Sequence, residues 1–173
     1  WLAPGAFDCP PVPTDLRSLD DLPAGVGLAC FPSVPITVPA RLIDCACDAG
    51  PFGGWIEPGW LWDGGARLLL VDPSVDRPPA DLAEGLAWRD QGSFWLHLDP
   101  TGAYPDPLPV GGSVGEVGAD AWAEPDLIVD VTGMFDHPAA ADCSVRGDEP
   151  APVLFPAILG CQLEFAATRV VQV

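Results

Sequence analysis

The chain has 173 residues, with seven Arg, no Lys and 25 acidic side chains, giving a formal charge of −18 and a pI near 4.1. Phosphate backbones and anionic bilayers draw on Lys and Arg, so this balance excludes nucleic acid and anionic membrane surfaces and leaves cations or basic proteins as compatible partners. The 22 Pro and 19 Gly approach a disordered composition, but seven Trp and seven Phe supply the bulky apolar groups that offset the entropy of ordering.

The Pro and Gly therefore read as turns between short strands of one domain preceded by an arm. No run of about 20 apolar residues exists, so no membrane insertion is expected. The chain contains no Asn, which removes N-linked glycosylation, and the joint lack of Lys and Asn suits a GC-rich genome. Six cysteines, none in a CxxC pair, favour disulfides and an oxidising compartment over zinc, because His97 and His137 are not at ligand spacing from a cysteine pair. The start at Trp1 is that expected of a mature form whose export signal is gone.

Residues 1–29 form the arm. Pro10, Pro11 and Pro13 keep the backbone extended, and Thr14 is placed to cap a short helix over Asp15 to Leu22, with Asp15 at its positive end. Leu16, Leu19 and Leu22 share a face that must dock, either on the chain's own domain or on a neighbouring subunit.

Residues 30–173 read as an all-β domain. In Val34 to Ile43, Ile36, Val38, Ala40 and Leu42 point one way and Thr37, Pro39 and Arg41 the other, and Pro39 belongs on an edge or at a bulge. Ala66 to Val71 and Ser93 to Leu98 are short strands, each stopped by Asp-Pro. Between them Pro79 to Trp88 predicts a helical turn or two. Residues 100–125 alternate Gly and Pro without periodicity and read as a long loop.

Leu127 to Thr132 is a period-two strand running into Gly133 and Phe135, and Gln162 to Val173 returns as a strand beside it. Five strands with an irregular excursion between the third and fourth give a small OB-like Greek-key barrel, with a β-sandwich as the alternative.

Three patches carry a resemblance: Cys9-Pro10, Asp15-Leu16 and Leu28-Ala29-Cys30-Phe31; Val131-Thr132-Gly133-Met134-Phe135-Asp136-His137-Pro138 with Cys143 after it; and Cys161 with Phe165. Together the chain resembles a recurrent secreted bacterial all-β module with a VTGxFDxP centre and flanking cysteines. The resemblance implies a fold and an exported location, and no activity. Cys45 and Cys47 depart from the four-cysteine pattern of that module.

Cys143 and Cys161 lie at facing ends of the two last strands and are the expected bridge. Cys45 and Cys47 share a strand face and are not expected to pair with each other; Cys9 and Cys30 are their expected partners, in an order the spacing leaves open.

Candidate chemistry is sparse. Gly111-Gly112-Ser113-Val114-Gly115 matches a hydrolase nucleophile elbow in letters, but the strand before and helix after it are lacking, and Asp136 and His137 are adjacent residues facing opposite ways. A flexible glycine loop is the reading preferred. Trp55, Trp60 and Trp62 offer flat faces for a carbohydrate or a partner protein, against the alternative that they fill the core. The many Asp residues open turns; their oxygens are of the kind calcium takes, but no Asp-rich binding loop of the EF-hand type is present, so no cofactor is expected.

The expectation is a non-enzymatic, secreted module acting at the cell surface or outside the cell by protein contact or self-assembly. Trp55, Trp60, Trp62, Leu16 and Leu19 are its candidate contacts. Carbohydrate binding through the tryptophans is the alternative, and a small serine hydrolase the remote one.

Overall fold

Strand β1, Ile36–Asp44, shows how the alternation of small apolar and polar residues builds the centre of the molecule. Ile36, Val38, Ala40 and Leu42 are at most 1% exposed, while Thr37 on the opposite face is open to solvent. The alternation fails toward the end of the strand, where Arg41 and Ile43 on the second face are buried as well. A computed structural model describes residues 8–23, 25–44, 68–75, 77, 94–95, 97–113, 127–138, 162–163 and 165–173.

Around β1 lie β2 (Leu68–Val71), β3 (Phe94–Trp95), β4 (His97–Ala103), β5 (Val110–Ser113), β6 (Ile128–Met134) and β7 (Ala166–Gln172). Among the described residues they form one mixed sheet in the order β3-β2-β1-β6-β7-β4, with β5 on β1 beyond the end of β6. The β2, β6 and β7 pairings along this path are antiparallel, whereas β4 runs parallel to β7 and β5 parallel to β1. The sheet curls into a half-barrel, so the chain has the small all-β, barrel-like fold that its patterning predicts.

Pro39 sits where its missing N–H does least harm. It faces Asp130 of β6, and β2 pairs with β1 only from Arg41 onward. Proline has no N–H to exchange across a pair, so Pro39 suits the wide, non-hydrogen-bonded kind of pair with Asp130, a kind that Thr37 and Thr132 two residues along share. Side chains approach closely in such pairs, and the Thr37 and Thr132 hydroxyls are 2.8 Å apart.

The arm packs on the same core. Helix α1, Leu16–Asp20, is capped by Asp15 itself rather than Thr14: the Asp15 carboxylate accepts from Ser18 N at 2.7 Å, and Ser18 Oγ accepts from Asp15 N at 3.3 Å. This reciprocal pair satisfies two orphan donors in one turn. Leu16 and Leu19 are 0% and 1% exposed within the core, with Leu22 against it. A second helix the sequence reading lacked, α2 (Val26–Cys30), follows Gly25 at φ 82°. It brings Cys30 back to Cys9, and the two form a disulfide with a Cα separation of 5.5 Å. The expectation that these cysteines bridge to Cys45 and Cys47 is thereby corrected: the turn at Gly25 folds the arm onto itself.

Three further expectations change. The single strand expected over Ser93 to Leu98 is two, β3 on β2 and β4 on β7, with β4 continuing through Pro100 to Ala103; the loop at 100–125 contains β5, and the last strand begins at Ala166, after a helical turn at Gln162 and Leu163. Cys45, Cys47, Cys143, Cys161, Trp55, Trp60, Trp62 and the helical reading of Pro79 to Trp88 fall outside the described residues. No helix among the described residues is long and apolar enough to cross a membrane.

Candidate functional site

Among the described residues, polar side chains converge where β4 loses register with β7. Leu98 pairs with Ala167 and Ala103 with Arg169, so four residues of β4 stand opposite one of β7. Such a bulge re-aims side chains. Here Asp99 turns back on its own chain: Oδ1 accepts from Thr101 N at 2.8 Å and from Thr101 Oγ1 at 2.9 Å, the Asx turn expected of an Asp-Pro-Thr segment.

Tyr104 closes the gap that the bulge opens. Its hydroxyl lies 2.8 Å from the Asp99 carbonyl and 2.6 Å from the Ala167 carbonyl, so its single proton serves an acceptor on each strand in place of a ladder bond. A Cβ on Gly102 would collide with that hydroxyl, which is why a residue without a side chain stands there. Burial, followed by the charge of Asp99, pushes the Tyr104 phenol far above its ordinary pKa, so it remains a donor throughout the physiological range.

The second half of the site comes from the segment after β6. Gly133 lets β6 pass against the start of β7, since a Cβ there would lie 2.6 Å from both the Ala166 carbonyl and the Phe165 ring. Phe135 then enters the core edge-on to Phe165, with centroids 5.6 Å apart, and its ring covers Gly27 of α2. Asp136 adopts φ 51°; its N–H donates to the Gln162 carbonyl at 2.9 Å, and Gln162 Nε2 donates to Asp136 Oδ1 at 3.0 Å. Directly after it, His137 Nε2 stands 3.1 Å from Asp99 Oδ2, with both side chains about nine-tenths buried. An ionised carboxylate only accepts, so the shared proton sits on Nε2.

Burial acts to raise the pKa of Asp99. It is outweighed by the bonds from the Thr101 N–H and hydroxyl together with His137, and the carboxyl titrates below its ordinary value. A His–Asp pair of this geometry is able to orient an imidazole and hold a proton. Its carboxylate, however, is filled by partners from its own fold: Thr101 reaches both oxygens and His137 one.

The pair is not joined by the serine of the glycine loop. Ser113 lies opposite Asp44 at one end of β1, while Gly133 lies opposite Ile36 at the other, with His137 beyond it. Eight strand steps of about 3.3 Å put roughly 26 Å between those ends. Asp136, the carboxylate next to His137 in sequence, is tied to Gln162 instead.

Of the residues singled out as contacts, Leu16 and Leu19 have their side chains enclosed by the chain's own core. Among the described residues no group of three or more His, Cys, Asp or Glu is placed to hold a metal ion. The Asp99–His137 pair and Tyr104 escaped the sequence reading because their partners are distant in the chain; the only local signal was Asp-Pro-Thr-Gly followed by a lone Tyr. The chain matches no protein-family model, no curated protein and no solved structure.

Proposed function

We propose that the chain is a non-enzymatic module of an exported assembly, at the cell surface or outside the cell, working by contact with a protein partner or with further copies of itself. The observation that carries this reading is the Cys9–Cys30 disulfide, a bond that persists in oxidising compartments.

The polar groups best suited to chemistry add support, because they are consumed in fastening the fold. Asp99, Thr101 and Tyr104 bridge a break between two strands, and His137 ties the segment after β6 to that break. The glycine-loop serine stands at the far end of β1. The charge of −18 favours a basic or cation-carrying partner face.

Size-exclusion chromatography with light scattering and electron microscopy of native material test the assembly reading. Multimers or a co-purifying protein are expected, and a strictly monomeric particle with a closed polar surface removes it. Mass spectrometry after alkylation without reductant tests the compartment. Cys9 and Cys30 are expected to be unmodified, and free thiols at these positions end the exported version.

A further inference from the structure

We propose that the segment 8–30 is an exchangeable strap, seated in this fold on its own sheet and able to seat on the same site of a second copy of this chain. The proposal deepens the assembly reading above and rests on it, by naming the element that joins subunits.

Three observations lead to it. First, the disulfide closes the strap on itself: both cysteines, Cys9 and Cys30, lie within it, and no cystine among the described residues ties it to the sheet. The strap is thus a preformed unit, with α1 and α2 held in one loop, and its lifting from the sheet breaks no covalent bond. Second, its seat is apolar and shaped for it. Leu16 and Leu19 are buried in the core, and Gly27 lies flat under the Phe135 ring, close enough that a Cβ would be 2.5 Å from it. Such a seat cannot be left open to water, so it is filled by this strap or by an identical one.

Third, the connection to β1 has the make-up of a hinge. The exposed residues Pro32, Ser33, Val34 and Pro35 join Phe31, itself buried in the core, to Ile36, and Ser33 is held at φ 55°, a conformation that a non-glycine residue adopts at a cost. Ser33 is kept there by its N–H to the Phe135 carbonyl at 2.9 Å and its hydroxyl to the Asp136 carbonyl at 3.1 Å. Straightening this hinge relieves the left-handed residue, and the prolines favour the extended form. Every strap contact is then remade with the neighbouring copy, so exchange alters the hinge alone.

The Gly27–Phe135 contact supplies a test that distinguishes exchange from any other association. Gly27→Leu drives a side chain into Phe135, and Phe135→Ala leaves a void beneath Gly27; each variant is expected to melt below the parent. Refolded together with the disulfides intact, they are expected to form a one-to-one mixed dimer that melts with the parent. In that dimer the leucine strap meets the alanine seat, and the other strap–seat pair is unaltered. The doubly substituted chain, G27L/F135A, reports whether leucine and alanine are compatible in one molecule.

If the double variant is restored and the mixture melts as two separate defective proteins, exchange is overturned. Should the double variant fail to fold, deletion of Ser33 and Val34 decides the matter, because the shortened hinge cannot return the strap to its own sheet. A dimer with the disulfide still intramolecular on non-reducing gels supports exchange, and a folded monomer overturns it. Parent protein that assembles without any mixed dimer sinks the strap alone, whereas parent protein that never associates sinks the assembly reading with it.

Discussion

Asp99 shows how one carboxylate couples a local turn to a long-range contact. Its pKa is depressed in the folded chain, so it binds fewer protons folded than unfolded at mildly acid pH. Its stabilising contribution is therefore fully present above the unfolded value of about 3.9 and is lost as pH falls through the lower folded value. Urea titrations between about pH 6 and pH 3 are expected to show an acid loss of stability that flattens in Asp99→Asn; equal slopes for the two proteins would refute the role. Tyr104→Phe keeps the ring and removes the proton shared by the Asp99 and Ala167 carbonyls. A loss of about 1–3 kcal/mol in the urea-derived free energy is expected, the cost of leaving a buried acceptor unsatisfied. A phenylalanine variant as stable as the parent would mean that water replaces the hydroxyl.

At the scale of elements, the arm and the sheet are held by different means. The strand ladders position β1, β6 and β7, and the arm adds apolar side chains from α1 together with a disulfide that spans 21 residues of sequence. Loop closure of that size contributes roughly 3 kcal/mol by restricting the unfolded chain. Replacing Cys9 and Cys30 by Ser is expected to lower the urea midpoint, and reductant is expected to lower that of the parent similarly. Equal midpoints in the serine variant and the unreduced parent would show that the bridge adds nothing. Short elements were the least legible. Strand β1 announced itself through the alternation from Ile36 to Leu42, whereas α2 is a single turn containing Gly27, and β5 consists of Val, Gly, Gly and Ser. Neither holds enough periodic residues to stand out locally, and pairing with the rest of the chain is what gives them shape.

Across the whole molecule the excess of acidic charge works against the folded state. With 25 acids against seven Arg, the compact state concentrates like charges that the unfolded chain spreads apart. Sodium chloride is expected to raise the melting temperature between roughly 0.01 and 0.15 M, as the screening length falls from about 30 Å to about 8 Å. Differential scanning calorimetry measures this directly, and a melting temperature indifferent to salt would place the acids too far apart to interact.

Residue order alone determined the class of this protein: strands of period two, turns at Pro and Gly, an apolar helix face at Leu16 and Leu19, and a strongly acidic composition. These properties are written in neighbouring residues, since backbone periodicity and turn chemistry act over a few positions. Only the tertiary structure decided that Cys9 bonds Cys30, that Asp99 meets His137, and that Tyr104 fills the break between β4 and β7. Each of those contacts joins points set together by how the chain curls, and no local pattern of side chains specifies which distant group will complete a hydrogen bond or a cystine.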